Sequence, residues 1–299
     1  MSGPELTRRH TLGLAMAGAV AALLKPVRAR AADRVNVRRG YAKARFGQMH
    51  YRIAKPAKAS EPPLLCLHSS PNSGRIYETF LGEMGQDRLA IAVDTPGFGD
   101  SDPPPSVPSI ADYAQAIGDV LDVLDLGTVD LIGYHTGSMI GVELARQRPS
   151  QVRRVIMISA PLFTQSELAE LRAHFAPVQL TADGSHLVAP WAEHVRWAMP
   201  GWTLDHVATQ FPDALRRPGI SWWGHNAAFT YPLADKLPGV QQPLLVLNPE
   251  DDLHVQTRRA NGLMSNGQFK ELPGWGHGFL DIHSQQAADI VRDFLRAGG

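Results

Sequence analysis

Cysteine occurs once in 299 residues, at Cys66, so no intrachain disulfide can form in any compartment. Within Leu64-Leu65-Cys66-Leu67 the lone thiol reads as a small core residue. Net charge is absent as well. Lys+Arg and Asp+Glu number 29 each, which excludes the basic balance of a nucleic-acid binder and any general attraction to anionic membranes. An apolar run long enough to span a bilayer is also missing: residues 12–24 supply 13 positions against the roughly 20 that a bilayer core needs. There is no Cys-x-x-Cys pair, no phosphate-cradling glycine loop ending in Lys-Ser/Thr and no internal repeat. The expectation is a chain with no cofactor whose partner is a small-molecule substrate.

What is present begins with an address. Thr7-Arg8-Arg9-His10-Thr11-Leu12 leads into the short apolar run, and Ala29-Arg30-Ala31 has the small-x-small form of a cleavage site. Residues 1–31 resemble a twin-arginine export signal, and Lys25, Arg28 and Arg30 after the run fit that route. The mature chain is expected to start at Ala32 or Asp33, to be periplasmic or secreted, and to keep no stable membrane anchor after cleavage. The composition, 44% hydrophobic and 19% charged, suits a large globular core and carries no signal for oligomeric state.

Along the mature chain, strand-like and helix-like segments alternate. Residues 41–46 and 48–54 read as a hairpin, and 63–67, 89–93, 129–132 and 154–159 as buried strands. Helices are expected at 76–84, 110–126 and 138–147. Such alternation predicts an α/β fold with a mostly parallel sheet covered on both faces. Residues 162–236 change character, with apparent helices broken by Pro190, Pro200, Pro212 and Pro218 and no long apolar strand. The predicted organisation is a core at 32–161 and 237–299 with a helical cap inserted at 162–236. Strands at 243–247 and 268–272 and a helix at 284–295 complete the core. In open α/β sheets ligands bind at the carboxyl edge of the strands, where such a cap forms a roof.

The most telling segment is Gly133-Tyr134-His135-Thr136-Gly137, after the apolar run Val129-Asp130-Leu131-Ile132. Two glycines flanking one exposed residue at a strand-to-helix junction form the frame of a nucleophile elbow, and here the residue lifted out is an imidazole. Three further stretches follow the same plan: Asp94-Thr95-Pro96-Gly97-Phe98-Gly99-Asp100-Ser101, Asn248-Pro249-Glu250-Asp251-Asp252, and Gly274-Trp275-Gly276-His277-Gly278. Taken together and in this order, they resemble the α/β-hydrolase superfamily over nearly all of the mature chain, with histidine where that family has serine.

The resemblance implies roles. His277 becomes the base and Asp252 the acid that holds its Nδ1 proton, leaving Nε2 for the substrate, with Asp251 and Glu250 as neighbouring alternatives. His68-Ser69-Ser70-Pro71 falls where the family has His-Gly, so the backbone N–H groups of Ser70 and Thr136 are the expected oxyanion donors. Ser69 departs from the expected glycine, and His68 reads as a loop support. Five of six tryptophans fall in the cap and most should pack there. Trp191, Trp222, Trp223 and Trp275, with His68 and Ser69, are the candidates to line a pocket for an apolar or aromatic substrate.

A histidine at the elbow leaves several chemistries open. Neutral imidazole is itself a nucleophile, so His135 can attack an activated acyl group, and water activated by His277 can then release the acyl-imidazole. Alternatively, His135 and His277 form an acid–base pair suited to direct hydrolysis, C–C cleavage, a lyase step or cofactor-free oxygenation. A third arrangement makes His135, His277 and Asp252 a metal site. The family geometry places the acid behind the histidine, on Nδ1, so the expectation is no metal. A non-catalytic ligand-binding protein is the remaining rival, although a pure binder has no use for the His277–Asp252 relay. The reading reached from sequence is a cofactor-independent hydrolase of an ester, lactone or related acyl bond, centred on His135, His277 and Asp252.

Overall fold

The computed structural model describes residues 35–297 except 176. The expected export signal lies outside the described residues. Among those residues no helix is long and apolar enough to cross a membrane.

Four short apolar segments become strands buried along their whole length: β3 (Leu64–Leu67), β4 (Ala90–Val93), β5 (Val129–Tyr134) and β7 (Leu244–Pro249). With β1 (Arg38–Ala44), β2 (Gly47–Ala54), β6 (Val152–Ile158) and β8 (Gly267–Leu272) they form one eight-stranded sheet in the order β1-β2-β4-β3-β5-β6-β7-β8. The β1–β2 and β2–β4 pairs are antiparallel and the others parallel. Burial on both faces follows from the crossover helices. Leu65, Leu67, Leu131 and Val155 pack on one side, against α2 (Ile110–Val123) and α3 (Thr136–Gln147). Leu64, Cys66, Ile132 and Ile156 pack on the other, against α1 (Glu78–Met84).

The chain leaves β3 toward β4 on one side and returns to place β5 on the other. A crevice opens where the order reverses, outside the carboxyl ends of β3 and β5. His68 follows β3 and His135 follows β5, so the topology alone brings these two loops together.

Between β6 and β7 the chain forms α4 (Gln165–His174), α5 (Val188–Arg196), α6 (Leu204–Leu215) and α7 (Trp223–Thr230). Two of the expected breaks are not breaks. Pro190 sits in the first turn of α5, where a missing N–H costs nothing because that group has no intrahelical partner, and Pro212 lies inside α6. The single-turn helix α8 (Leu233–Lys236) leads back to the sheet. Beyond β7 and β8 come α9 (His254–Thr257), α10 (Phe279–Ile282) and the strongly amphipathic α11 (Ser284–Arg296), which buries Ala287, Ala288, Val291, Phe294 and Leu295 on the α1 side.

Candidate active site

The elbow is tighter than sequence spacing requires. Helix α3 begins at Thr136, immediately after His135, rather than at Ser138. A side chain at Gly133 would run into the carbonyl of Gly137, and one at Gly137 would run into the carbonyls of Leu67 and His68. Both positions therefore need glycine. His135 takes φ 49° and ψ −111°, a backbone that L-residues rarely adopt. Its N–H donates to Ile158 O at 3.0 Å, and its carbonyl accepts from Ser138 N at 2.9 Å. Ser138 is buried, its hydroxyl donating to Gly133 O and Ile158 O, so it braces the turn rather than facing the crevice.

The His135 ring meets the loop after β7. Its Nε2 lies 2.9 Å from Asp251 Oδ2 and 3.9 Å from Asp252 Oδ1. Asp251 is buried and fully engaged: Ser159 donates its hydroxyl to Oδ2 at 2.7 Å, and the Leu253 N–H donates to Oδ1 at 2.9 Å. Burial pushes this carboxyl up, but the charge and hydrogen bond of His135 outweigh burial and hold it below its ordinary value. Asp251, an alternative in the sequence, is thus the partner of the elbow histidine. Glu250 is exposed and joins the site only through its backbone, donating to Trp275 O.

His277 pairs with Asp252 as expected, but through the other nitrogen. Nε2 lies 2.7 Å from Asp252 Oδ1, whereas Nδ1 faces the Tyr134 hydroxyl at 3.2 Å. The cause is Tyr134, a buried ring stacked on His277 at 5.7 Å and 23°, which occupies the side where the acid was expected. Burial pushes the His277 pKa down, and the hydrogen bond and charge of Asp252 more than reverse this, so it stands above its usual value. Asp252 is pushed up by burial and pulled well below the ordinary carboxylate range by His135 and His277. The two imidazoles meet edge to face with centroids 5.5 Å apart. The backbone of His277 is pinned by the α5–α6 connection: its N–H donates to Trp197 O, and its carbonyl accepts from Met199 N.

A family model for the alpha/beta hydrolase family matches residues 64–293. The chain belongs to that family. It is 24% identical over 253 residues to a poly(3-hydroxyalkanoate) depolymerase of Ectopseudomonas oleovorans, covering 81% of this chain and 87% of that protein. An uncharacterized protein of Mycobacterium bovis is 33% identical over 116 residues, which is 38% of this chain and 34% of that protein, so the match spans about a third of this relative. Among solved structures, an enol-lactonase from Burkholderia xenovorans LB400 superposes with a TM-score of 0.72 at 17% identity, over 86% of this chain and 99% of that one. At that identity the likeness speaks for the fold alone.

Around this hydrolase-family centre the remaining candidates separate. The N–H groups of Ser70 and Thr136 make no hydrogen bond among the described residues, and close packing of Gly137 on Leu67 and His68 brings their two loops together. His68 is fully engaged and buried. Its Nδ1 donates to Ser69 O at 2.9 Å and its Nε2 accepts from the Thr95 N–H at 2.9 Å, so it supports the loop and offers no nitrogen to a ligand. Ser69 lines a cavity of about 30 Å³ with Asn72, Tyr134, Trp202, Gln210 and His277, room for about one water. Trp191, Trp222, Trp223 and Trp275 do not line it. Trp191 packs edge-on against Phe211, Trp222 donates to Gly219 O, and Trp275 stacks on His283 at 4.8 Å. Trp202, its indole N–H held by Asp281, is the tryptophan beside His277.

Sequence reasoning missed Tyr134, Ser159 and His225. The first stands inside the quoted elbow, and its aromatic ring next to the exposed position was the available signal. Ser159 takes φ 59° at the end of β6, and nothing in its surroundings in sequence marks it. His225 stacks on Phe175 at 3.9 Å, both in the segment between β6 and β7. Burial, reinforced by the charge of His135 and partly opposed by that of Asp252, lowers its pKa to about 4, so it is neutral at pH 7.

Proposed function

We propose that this chain hydrolyses an ester, lactone or related acyl bond of a small apolar or aromatic substrate, with water as the attacking group. The observation that carries the reading is that each imidazole has its own carboxylate, His135 with Asp251 at 2.9 Å and His277 with Asp252 at 2.7 Å. The outer nitrogen of His135, the atom a nucleophile at the elbow tip would use, is engaged by Asp251, which favours water over the imidazole. In the proposed step the water oxygen bonds to the acyl carbon and its proton passes to the Asp252 carboxylate, whose Oδ1 is held by His277 Nε2 at 2.7 Å. The Ser70 and Thr136 N–H groups hold the negative oxygen that results. The acyl–oxygen bond then breaks, and the leaving oxygen takes up the proton. The name of the depolymerase supports acyl chemistry.

Turnover of a panel of aryl esters and lactones by the mature chain tests the reading. His277→Ala should lower kcat/KM by a factor on the order of 10² or more while a non-hydrolysed analogue still binds within a few fold. No turnover of any ester, lactone or amide by the folded chain would refute it. Export with cleavage after Ala31 belongs to the same proposal, supported by Arg8-Arg9 and the short apolar run. N-terminal sequencing of protein from the native host checks it, and a retained Arg8-Arg9 would rule it out.

A further inference from the structure

A proton relay needs one imidazole and one carboxylate. This centre turns two of each toward one point. One ligand atom from each of His135, Asp251, Asp252 and His277 lies within 4.8 Å of all the others. Both rings contribute Nε2, and the acid that would sit behind His277 in a relay is not there, because Tyr134 occupies that side. The geometric ground for expecting no metal is therefore gone.

We propose that His135, Asp251, Asp252 and His277 bind one divalent transition-metal ion of the zinc type. Two imidazole nitrogens with carboxylate oxygens suit this class rather than magnesium or calcium, which prefer oxygen alone. Metal–ligand bonds of about 2.0–2.1 Å in a tetrahedron set the ligand atoms roughly 3.3 Å apart. The contacts here are 2.7 and 2.9 Å within the pairs and 3.9 Å between His135 and Asp252, so they bracket that spacing. The remaining separations are at most 4.8 Å, so with each ring as its Nδ1–H tautomer, leaving Nε2 free to bind, shifts of up to about 1.5 Å close the cluster on the ion.

The surroundings fit a ligand set. Tyr134 holds His277 Nδ1, as outer partners fix the rings of metal-bound histidines, and Ser159 with the Leu253 N–H fixes the Asp251 carboxylate. His277 and Asp252 keep 25% and 35% of their side-chain surface exposed, which leaves a solvent-facing side for a bound water. What the ion would do rests on the hydrolase reading: a water bound as a fifth ligand beside the four side chains would have its pKa lowered toward neutrality, and its proton would pass to the Asp252 oxygen not bound to the ion. That the ion binds does not depend on that reading.

Calorimetric titration of zinc chloride into chelator-treated mature chain tests the site without any substrate. The expected result is one ion per chain with Kd at or below about 1 μM, accompanied by a rise in Tm. His135→Ala and Asp252→Asn should each weaken binding on the order of 10- to 100-fold. Asp252 is half-exposed, so its variant keeps the test valid if His135→Ala fails to fold by circular dichroism. No binding at about 100 μM zinc, or equal binding by both folded variants, overturns the inference. Ester turnover in a chain that binds no zinc removes the metal and leaves the hydrolase, whereas stoichiometric zinc without turnover does the reverse.

Discussion

His135 carries two opposed demands. Its backbone at φ 49° stores strain of about 1–3 kcal/mol, which glycine would relieve, while its ring holds the buried Asp251 carboxylate. A side chain carried in a strained conformation where glycine would sit more easily motivates a functional test of that side chain. The two demands separate by substitution. His135→Ala and His135→Gly should both lose turnover by a factor on the order of 10² or more, since both remove the imidazole. Their stabilities should differ: only glycine relieves the strain, so His135→Gly should be more stable than His135→Ala by about 1 kcal/mol in urea denaturation. Equal stability of the two would mean that the surrounding structure does not hold His135 in the strained form.

Among the elements, the β5–α3 junction sets the geometry of everything above it. Helix α3 approaches the end of β3 so closely that a methyl group at Gly137 would meet the backbone of Leu67 and His68, and backbone cannot swing aside as a side chain can. Gly137→Ala should therefore cost about 3 kcal/mol and spread the Ser70 and Thr136 donors, lowering kcat with little change in KM. Urea denaturation and steady-state kinetics together check this, and a neutral stability would show that the two loops can part.

The same junction explains what was legible in the sequence. Glycines at 133 and 137, the histidine loop and the acidic turn could be read because each encodes a local backbone need or a fixed order along the chain. Tyr134 and Ser159 enter the site through contacts between distant segments, and His225 feels its charges from the segment between β6 and β7; nothing local records such proximity. The nitrogen that His277 turns to Asp252 is a ring orientation, settled by the stacked Tyr134. The tryptophans misled for a related reason: a large apolar ring has as much to gain from packing against its neighbours as from a pocket, and of the described tryptophans Trp202 lines the cavity beside His277.

At the level of the entire fold, stability against acid should be governed first by neutral histidines and only later by carboxylates. Burial lowers the pKa of His68, with Asp94 only partly opposing it, and burial lowers that of His225 to about 4. Between the unfolded value of about 6.5 and the lowered folded value, the unfolded chain binds more protons, so these two contributions are full above about pH 6.5 and fade as pH falls. Asp94 follows at lower pH. Burial pushes its carboxyl up, but the His50 hydrogen bond and the Asp100 N–H hold it below its ordinary value, so its contribution is lost only below about pH 4. His277, raised by Asp252, runs the other way in the metal-free chain: its contribution is full below about pH 6.5 and declines as pH rises through its higher folded value. The opposed slopes place maximum stability near neutrality. His225 offers a clean dissection, because phenylalanine preserves the stack on Phe175 and removes the titration. Chelator-treated wild type should lose Tm between pH 7 and pH 4.5, and His225→Phe should lose distinctly less over the same interval. Parallel loss in both proteins would show that His225 is not among the groups that set acid stability.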